Sequence, residues 1–425
     1  MKRFFTLLIS ILAISVSAQD TVRMMQYNVL NYGVVDSYCT TANNGLPMKD
    51  SCLRKIIKYI KPDIFTANEL LNSVPIHKRM LDSCLNVDGV THYKVGSMTN
   101  ASGGDLTNEV FYNSDKFTMI SHNTIPTGVR DINIYKFYYK AFDLAVTHDT
   151  AYLTRIVVDL KAGNATSDEQ DKAAETNSAM GYIISTGIKD NYIFSGDCNV
   201  YSDTERCYQN LIHPSDTNFR FNDPVNMIGD WHDNPTYAKY HSQSTHSYSS
   251  GCPASGGLDD RFDQMLISNY IKSGSNHFQY IPGSYNTVGQ DGNHMNQSVN
   301  SGANTSAPDS IIQALYNMSD HLPITLDLRI DETVGVHDIN TVPFDLIFKN
   351  PVNGNLELTM LVSEKDKFVL TILNLLGQQM FSKMIEAQGN IINCMLPTSN
   401  FNKGIYLLKI TDSKNNGMVK KFVKE

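Results

Sequence analysis

Residues 191–200 read N-Y-I-F-S-G-D-C-N-V. Tyr192, Ile193 and Phe194 form a short apolar, β-favouring run, Gly196 stops it, and Asp197 and Asn199 follow two residues apart. A buried strand that ends in glycine and then offers a carboxylate and an amide can lean both side chains into a cleft. The carboxylate can hold a divalent cation or orient a water, and the amide can donate to a phosphate oxygen. Gly, Asp and Asn also gather at ordinary strand-to-loop turns for backbone reasons alone. The weight of the motif therefore rests on what the other strand ends carry.

Working outward, four more strands end or begin in polar groups. V-R-M-M-Q-Y-N-V-L (22–30) carries Asn28, and D-I-F-T-A-N-E-L-L (63–71) carries Glu69. D-D-R-F-D-Q-M-L-I-S (259–268) has Asp263 at its front. Asp320 and His321 precede a strand in which Ile324, Leu326, Leu328 and Ile330 alternate, as a half-buried strand should. Two further strands are expected between Phe137 and Leu160, the second ending in V-V-D-L-K-A-G with Asp159. Between the strands, Leu53, Ile56, Ile57 and Ile60 mark the apolar face of a helix that Pro62 ends. Ser73 and Pro75 open another helix. Ser167 with Gln170 predicts a capped helix running to Ile188, and Ser202 with Glu205 a second capped start. Residues 218–255 are polar and read as a long surface loop, with the histidines of 231–246 as surface residues.

The chain has 425 residues, 41% hydrophobic and 18% charged, which suits a folded chain of two domains. Residues 1–18, with Lys2, Arg3, an apolar run and V-S-A, read as a secretory signal peptide, too short to span a membrane comfortably. The net charge of -8 excludes a broad basic surface for nucleic acid, but not a nuclease whose bound cations supply local positive charge. There are seven cysteines, so at least one stays unpaired in a monomer, the expected state. Export permits disulfides; Cys39 with Cys52 and Cys198 with Cys207 are the expected pairs, although spacing does not fix connectivity.

Asn28, Glu69, Asp197, Asn199, Asp263, Asp320 and His321 thus lie in or beside short apolar strands. Carboxylates are expensive to bury unless a cation or hydrogen bonds compensate. Their convergence would make a hard-cation site for Mg2+, Mn2+ or Ca2+ with a histidine beside it, and a poor zinc site.

Q-Y-N-V-L-N-Y-G, D-I-F-T-A-N-E-L, S-G-D-C-N-V-Y, R-F-D-Q-M-L-I-S and S-D-H-L-P-I occur in the order found in the endonuclease/exonuclease/phosphatase superfamily, which residues 20–330 resemble. The resemblance implies an α/β fold, a four-layer α/β sandwich of the deoxyribonuclease I type, with the site at one edge of two packed sheets. It implies that Asn28 helps hold the phosphate, Glu69 binds metal and Asp320 lies by it. It implies that Asp197 orients the attacking water and that Asn199 steadies the transition state. His321 would act as base or electrophile, with Asp263 orienting its ring. Asp159 is a departure, since many relatives have histidine there. It would be an extra metal ligand, or it would mark a missing leaving-group acid, with His148 upstream as the candidate replacement.

The tail changes texture after residue 343. Only short β runs follow, suggesting a small all-β sandwich at 344–425 behind a linker at 331–343. F-K-N-P-V-N-G, N-L-L-G-Q-Q, K-G-I-Y-L-L-K-I and K-K-F-V-K-E resemble a type A C-terminal sorting domain of the type IX secretion system. That resemblance implies outer-membrane transit and release or surface attachment, with the secretion machinery as partner. The principal expectation is a secreted, metal-dependent phosphodiesterase acting on extracellular DNA or RNA. A phosphoesterase acting on a lipid or small phosphate ester, and a catalytically reduced surface binding protein, are the alternatives.

Overall fold

Thirteen strands precede residue 331 among the described residues. They are β1 (Asp20–Tyr32), β2 (Ile64–Leu71), β3 (Tyr93–Val95), β4 (Leu106–Asn113), β5 (Phe117–Ile125), β6 (Ile132–Tyr139) and β7 (Tyr152–Asp159). Then come β8 (Asn191–Asp197), β9 (Phe221–Asn222), β10 (Asp263–Ser268), β11 (Phe278–Tyr280), β12 (Asn286–Thr287) and β13 (Ile324–Ile330). The helices are α1 (Leu46–Ile60), α2 (Val74–Met80), α3 (Thr166–Thr186), α4 (Arg206–Ile212), α5 (Asn269–Ser273) and α6 (Asp309–Met318). This computed structural model describes residues 20–141, 144, 149–249, 251–330, 344–362, 365–375, 377–387, 391–413 and 417–425. The expected signal peptide, the linker and His148 lie outside them.

Two sheets form. One runs β11-β13-β1-β2-β4-β3 with β12 beside β13, and the other runs β5-β6-β7-β8-β10-β9. Strand alternation explains how they stack. On β1, Val22 and Met24 share one buried cluster with Phe137, Val157, Ile193 and Met265 of the other sheet. Met25, Tyr27 and Val29 point the opposite way and pack on Leu53, Ile56, Ile311 and Leu315 of α1 and α6. On β8 the outward Tyr192 and Phe194 pack with Ala179, Ile183 and Leu211 of α3 and α4. The layers are therefore helix, sheet, sheet, helix, the four-layer sandwich expected. Gly196 permits part of it. Its φ is 152°, and a Cβ there would sit 1.8 Å from the Val158 carbonyl oxygen on neighbouring β7.

Several local expectations are corrected. α3 starts at Thr166 and ends at Thr186, where Gly187 takes a left-handed cap. Its first-turn bond runs from the Ala165 N–H to Asp168, not through Ser167. α4 starts at Arg206, because the Glu205 carboxylate is drawn inward to the Lys172 ammonium at 2.5 Å and the Tyr201 N–H at 2.6 Å. The disulfide is Cys39–Cys252, while Cys52, Cys198 and Cys207 are free and buried. Cys52 faces the core from α1, and Cys198 and Cys207 pack in the outer core with Trp231. Segment 218–255 is not a plain surface loop. Trp231, His241, Ser242 and Thr245 are wholly buried there.

The tail forms a separate compact unit. Strands β14 (Phe344–Phe348), β15 (Leu356–Val362), β16 (Lys367–Asn374), β17 (Gln379–Glu386), β18 (Ile391–Leu396), β19 (Gly404–Thr411) and β20 (Gly417–Lys424) make two sheets, β14-β15-β18 and β17-β16-β19-β20. Leu356, Leu358 and Met360 of the first meet Phe368, Leu370, Leu408 and Phe422 of the second in one core, which makes a β-sandwich.

Candidate active site

The site lies where the ends of β1, β2, β7 and β8 meet the start of β10 and the residues before β13. On β8, Ile193 faces the opposite sheet, so Asp197, four residues on, faces it too. By the same alternation Asn28 faces inward from β1. Glu69 needs a further device. On β2, Phe65 and Ala67 point to the outer core and so does Leu70, because the register shifts between Ala67 and Leu70. Glu69 takes φ 60° within this bulge, and its carboxylate turns to Asn28.

The Asn28 amide joins the two carboxylates. It donates to Glu69 Oε1 at 2.9 Å and to Asp197 Oδ2 at 3.1 Å. The Asn31 N–H holds Glu69 Oε2 at 3.1 Å, and the Asn199 N–H holds Asp197 Oδ1 at 3.1 Å. Asp320 Oδ2 accepts from the Ala254 N–H at 2.8 Å, whereas its buried Oδ1 has no hydrogen-bond partner. His321 Nδ1 lies 2.7 Å from Asp263 Oδ2, which also accepts from the Ser242 hydroxyl at 2.7 Å. Its Nε2 lies 2.8 Å from the Gln243 amide nitrogen, a donor that must turn aside when the ring carries a proton there, and 3.6 Å from Asp197 and 4.0 Å from Asp320. All seven sequence-predicted groups therefore come together, Asn199 through its backbone. Its own amide turns away to the Leu160 carbonyl at 3.0 Å.

Burial pushes the Asp197 carboxyl up to about 6, against the opposing pull of His321 and Asn28. Burial also raises Asp320. For His321 burial opposes the charged ring, but the Asp263 and Asp197 carboxylates outweigh it and hold its pKa well above the usual histidine value. Beneath the site, Lys49 donates to the Leu30 carbonyl at 2.5 Å. Burial brings this ammonium down to about 7, although Asp320 and Glu69 pull it upward.

Asp159 pairs in register with Asp197 across the parallel β7–β8 junction. Its Oδ1 accepts from Arg130 Nη1 at 2.6 Å, and its Oδ2 is buried without a partner. Sequence reasoning missed Arg130. It also missed Ser242 and Gln243, and Asn68, whose amide oxygen accepts from the Asp197 N–H at 3.2 Å while its nitrogen donates to the Val158 carbonyl and to Asn108. Asn68 was within reach, as a polar residue on the inward face of an apolar strand. The loop residues had no periodic signal.

The donor set fits a hard divalent cation. Glu69, Asp197, Asp263 and Asp320 outnumber the nearby Arg130, Lys49 and charged His321 even with Asp159, whose carboxyl burial raises against the pull of Arg130, left out, so the site is negative. The partnerless Asp320 oxygen has the form of an open ligand position. A second group, His232, Asp259 and Asp260, brings ligand atoms within 4.8 Å of one another on the surface. There His232 is already engaged with Asp260 at 2.8 Å.

Residues 346–425 match the family model of the secretion system C-terminal sorting domain, so that stretch carries such a domain. No curated protein matches the chain. Solved structures similar to it include an endonuclease/exonuclease/phosphatase family protein from Bacteroides thetaiotaomicron, at 15% identity and TM-score 0.44, covering 74% of this chain and 96% of that one. A mannosyl-6-phosphatase from the same organism is similar at 15% identity and TM-score 0.42, with 72% and 99% covered. The human Nocturnin catalytic domain, solved with a bound sulfate, is similar at 13% identity and TM-score 0.43, with 73% and 97% covered.

Proposed function

We propose that the protein is an exported phosphoric ester hydrolase, a divalent-metal-dependent phosphodiesterase that acts as a nuclease on extracellular DNA or RNA. The observation that carries this reading is the joining of Glu69 and Asp197 through Asn28, with the His321–Asp263 pair 3.6 Å away. Glu69 and Asp320 would hold the cation, Mg2+ before Mn2+ or Ca2+. The ion would polarise the phosphate and offset the charge that develops in in-line attack. Asp197, with its pKa near 6, is ionised at neutral pH and suited to orient water and accept its proton. His321, kept charged by Asp263, donates from Nε2 to a phosphate oxygen. The ring's charge favours this electrophilic role over a base role. Asn28 and the backbone N–H of Asn199, which donate to Glu69 and Asp197, position these carboxylates around the phosphate. Arg130, held by Asp159, brings a fixed cation to the same edge, in place of a leaving-group acid on β7. The tail supports export through the type IX machinery, to the cell surface or beyond, and the chain is proposed to work as a monomer. No helix among the described residues is long and apolar enough to cross a membrane.

Arg130 also favours a second reading. A guanidinium beside the phosphate site would offset the extra charge of a phosphomonoester, so a phosphatase acting on a small phosphate ester is the alternative. The test is hydrolysis of plasmid DNA and of p-nitrophenyl phosphate in Mg2+, Mn2+, Ca2+ or EDTA. Metal-dependent plasmid cleavage that falls ~10²–10⁴-fold in Asp197→Asn and His321→Ala is expected. Cleavage of the monoester alone would select the phosphatase, and cleavage that survives both substitutions would remove the proposed site.

A further inference from the structure

A cavity of 460 Å³ opens beside the carboxylates, bounded in part by Leu30, Asn44, His246, Tyr248, Tyr316 and Asn317. Another cavity, of 320 Å³, has Pro62 and Asp63 in its wall. It therefore lies at the far end of β2, roughly 20 Å of strand away from Glu69. The larger cavity shares its wall with the site. Leu30 is two residues past Asn28, Ser319 in its lining precedes Asp320, and the segment carrying His246 and Pro253 also supplies the Ala254 N–H that holds Asp320. The Ser319 hydroxyl donates to the Asn28 carbonyl at 2.7 Å, which fixes the cavity edge to the catalytic strand. A phosphate seated among Glu69, Asp197, Asp320 and His321 would place one of its substituents here.

The lining chemistry narrows what that substituent is. Among the described residues, no carboxylate, lysine or arginine lines the cavity. His246 is neutral at pH 7, since burial lowers its pKa to about 4. A cationic headgroup would find no counter-charge. His246 and Tyr316 stack at 3.9 Å between centroids and 29° between planes, and the Thr245 hydroxyl fixes the imidazole at 2.8 Å. The result is an aromatic pair in the cavity wall, with the buried imidazole backing the Tyr316 ring. Two directional side-chain amides, which a sugar would need, are already committed. The Asn43 amide nitrogen goes to the Tyr38 carbonyl, and the Asn44 amide lies between the Asn31 carbonyl and Lys49. The Tyr248 ring, 77% exposed, stands on the rim. The Cys39–Cys252 disulfide ties together the two segments that carry Asn43 and Pro253, so the cavity is built before a ligand arrives.

We propose that this cavity is the subsite for the base of the nucleotide whose sugar carries the scissile phosphate, held by stacking against Tyr316 of the His246–Tyr316 pair and by Tyr248. This inference rests on the nuclease reading above and assigns the place where a nucleotide's base is held. Base-on-aromatic stacking tolerates any base, as a degrading nuclease requires.

The test compares kcat/KM for the p-nitrophenyl ester of thymidine 5′-phosphate with that for methyl p-nitrophenyl phosphate, using the full chain with Mg2+. The wild type should prefer the thymidylyl ester. That preference should fall ~5- to 150-fold in Tyr316→Ala, be kept in Tyr316→Phe, and fall in Tyr248→Ala, whose exposed ring has no folding role. An unchanged preference in both alanine variants would overturn the subsite. Loss of the phosphodiesterase reading shows differently, as a wild type that hydrolyses neither ester. The subsite is then decided by calorimetric binding of thymidine 5′-monophosphate against mannose 6-phosphate. Nucleotide binding weakened by Tyr248→Ala supports it, and tighter binding of the sugar phosphate overturns it.

Discussion

Arg130 and Asp159 form the pair that most alters the reading of individual residues. Asp159 was readable in the sequence as an unexpected acid at a strand end, but its partner was not, because Arg130 lies in an irregular turn before β6. The 2.6 Å ion pair commits one Asp159 oxygen to the guanidinium, while the other, like Asp320 Oδ1, is buried without a hydrogen-bond partner. Arg130→Ala should therefore act twice. It strips Asp159 of its counter-charge inside the protein, at a cost of about 3–5 kcal/mol in urea unfolding. It also raises KM for phosphate esters, because a phosphate-binding cation is gone. Arg130→Lys should recover much of the stability but less of the KM, since a lysine cannot offer the same fork. Equal recovery of both would mean that the pair is structural only. The strand-end groups were legible because each interrupts an apolar run, where burial makes a charge conspicuous. Ser242 and Gln243 were illegible because nothing local marks a polar residue among other polar residues as buried.

At the scale of elements, β2 and the segment after β9 show where pattern reading holds and where it stops. Alternation predicted β2, but strict alternation alone would send Glu69 to the outer core with Ala67. The bulge that turns it inward is a tertiary feature with no sequence signal of its own. Segment 218–255 reads as a surface loop by composition. Its polar residues are instead satisfied inside, as when His241 Nε2 meets the Trp231 carbonyl at 2.8 Å. One consequence is measurable at His246. Its folded pKa, about 4, lies below the unfolded value of about 6.5. Between those values the unfolded chain binds more protons, so His246 favours folding at neutral pH and that contribution is lost as pH falls from about 6.5 toward 4. The urea midpoint should drop over this window, and drop less in His246→Gln, which cannot take up the proton. An identical pH profile in the variant would contradict the assignment.

For the whole molecule, the two units stand on separate cores, and the sequence announced the change where the helix pattern disappears. Order of motifs and strand alternation carried the four-layer fold. Cysteine pairing was not readable, since Cys39 and Cys252 are 213 residues apart and meet only in the finished fold. Closing so long a loop should stabilise the protein by about 2–5 kcal/mol. Cys252→Ser should lose that much in chemical denaturation, and reductant should lower the wild type to the same level. No loss on reduction would mean that the folded core holds the two segments without the bond.

The central claim is that the strand-end carboxylates form a cation site, and calorimetric titration of Mn2+ and Mg2+ tests it most directly. Wild-type protein at pH 7.5 should bind a divalent ion, Glu69→Gln and Asp320→Asn should each abolish or strongly weaken that binding, and His232→Ala should leave it intact. Binding that survives both carboxylate substitutions, or that disappears in His232→Ala instead, would contradict the account and move the metal to the surface group of His232, Asp259 and Asp260.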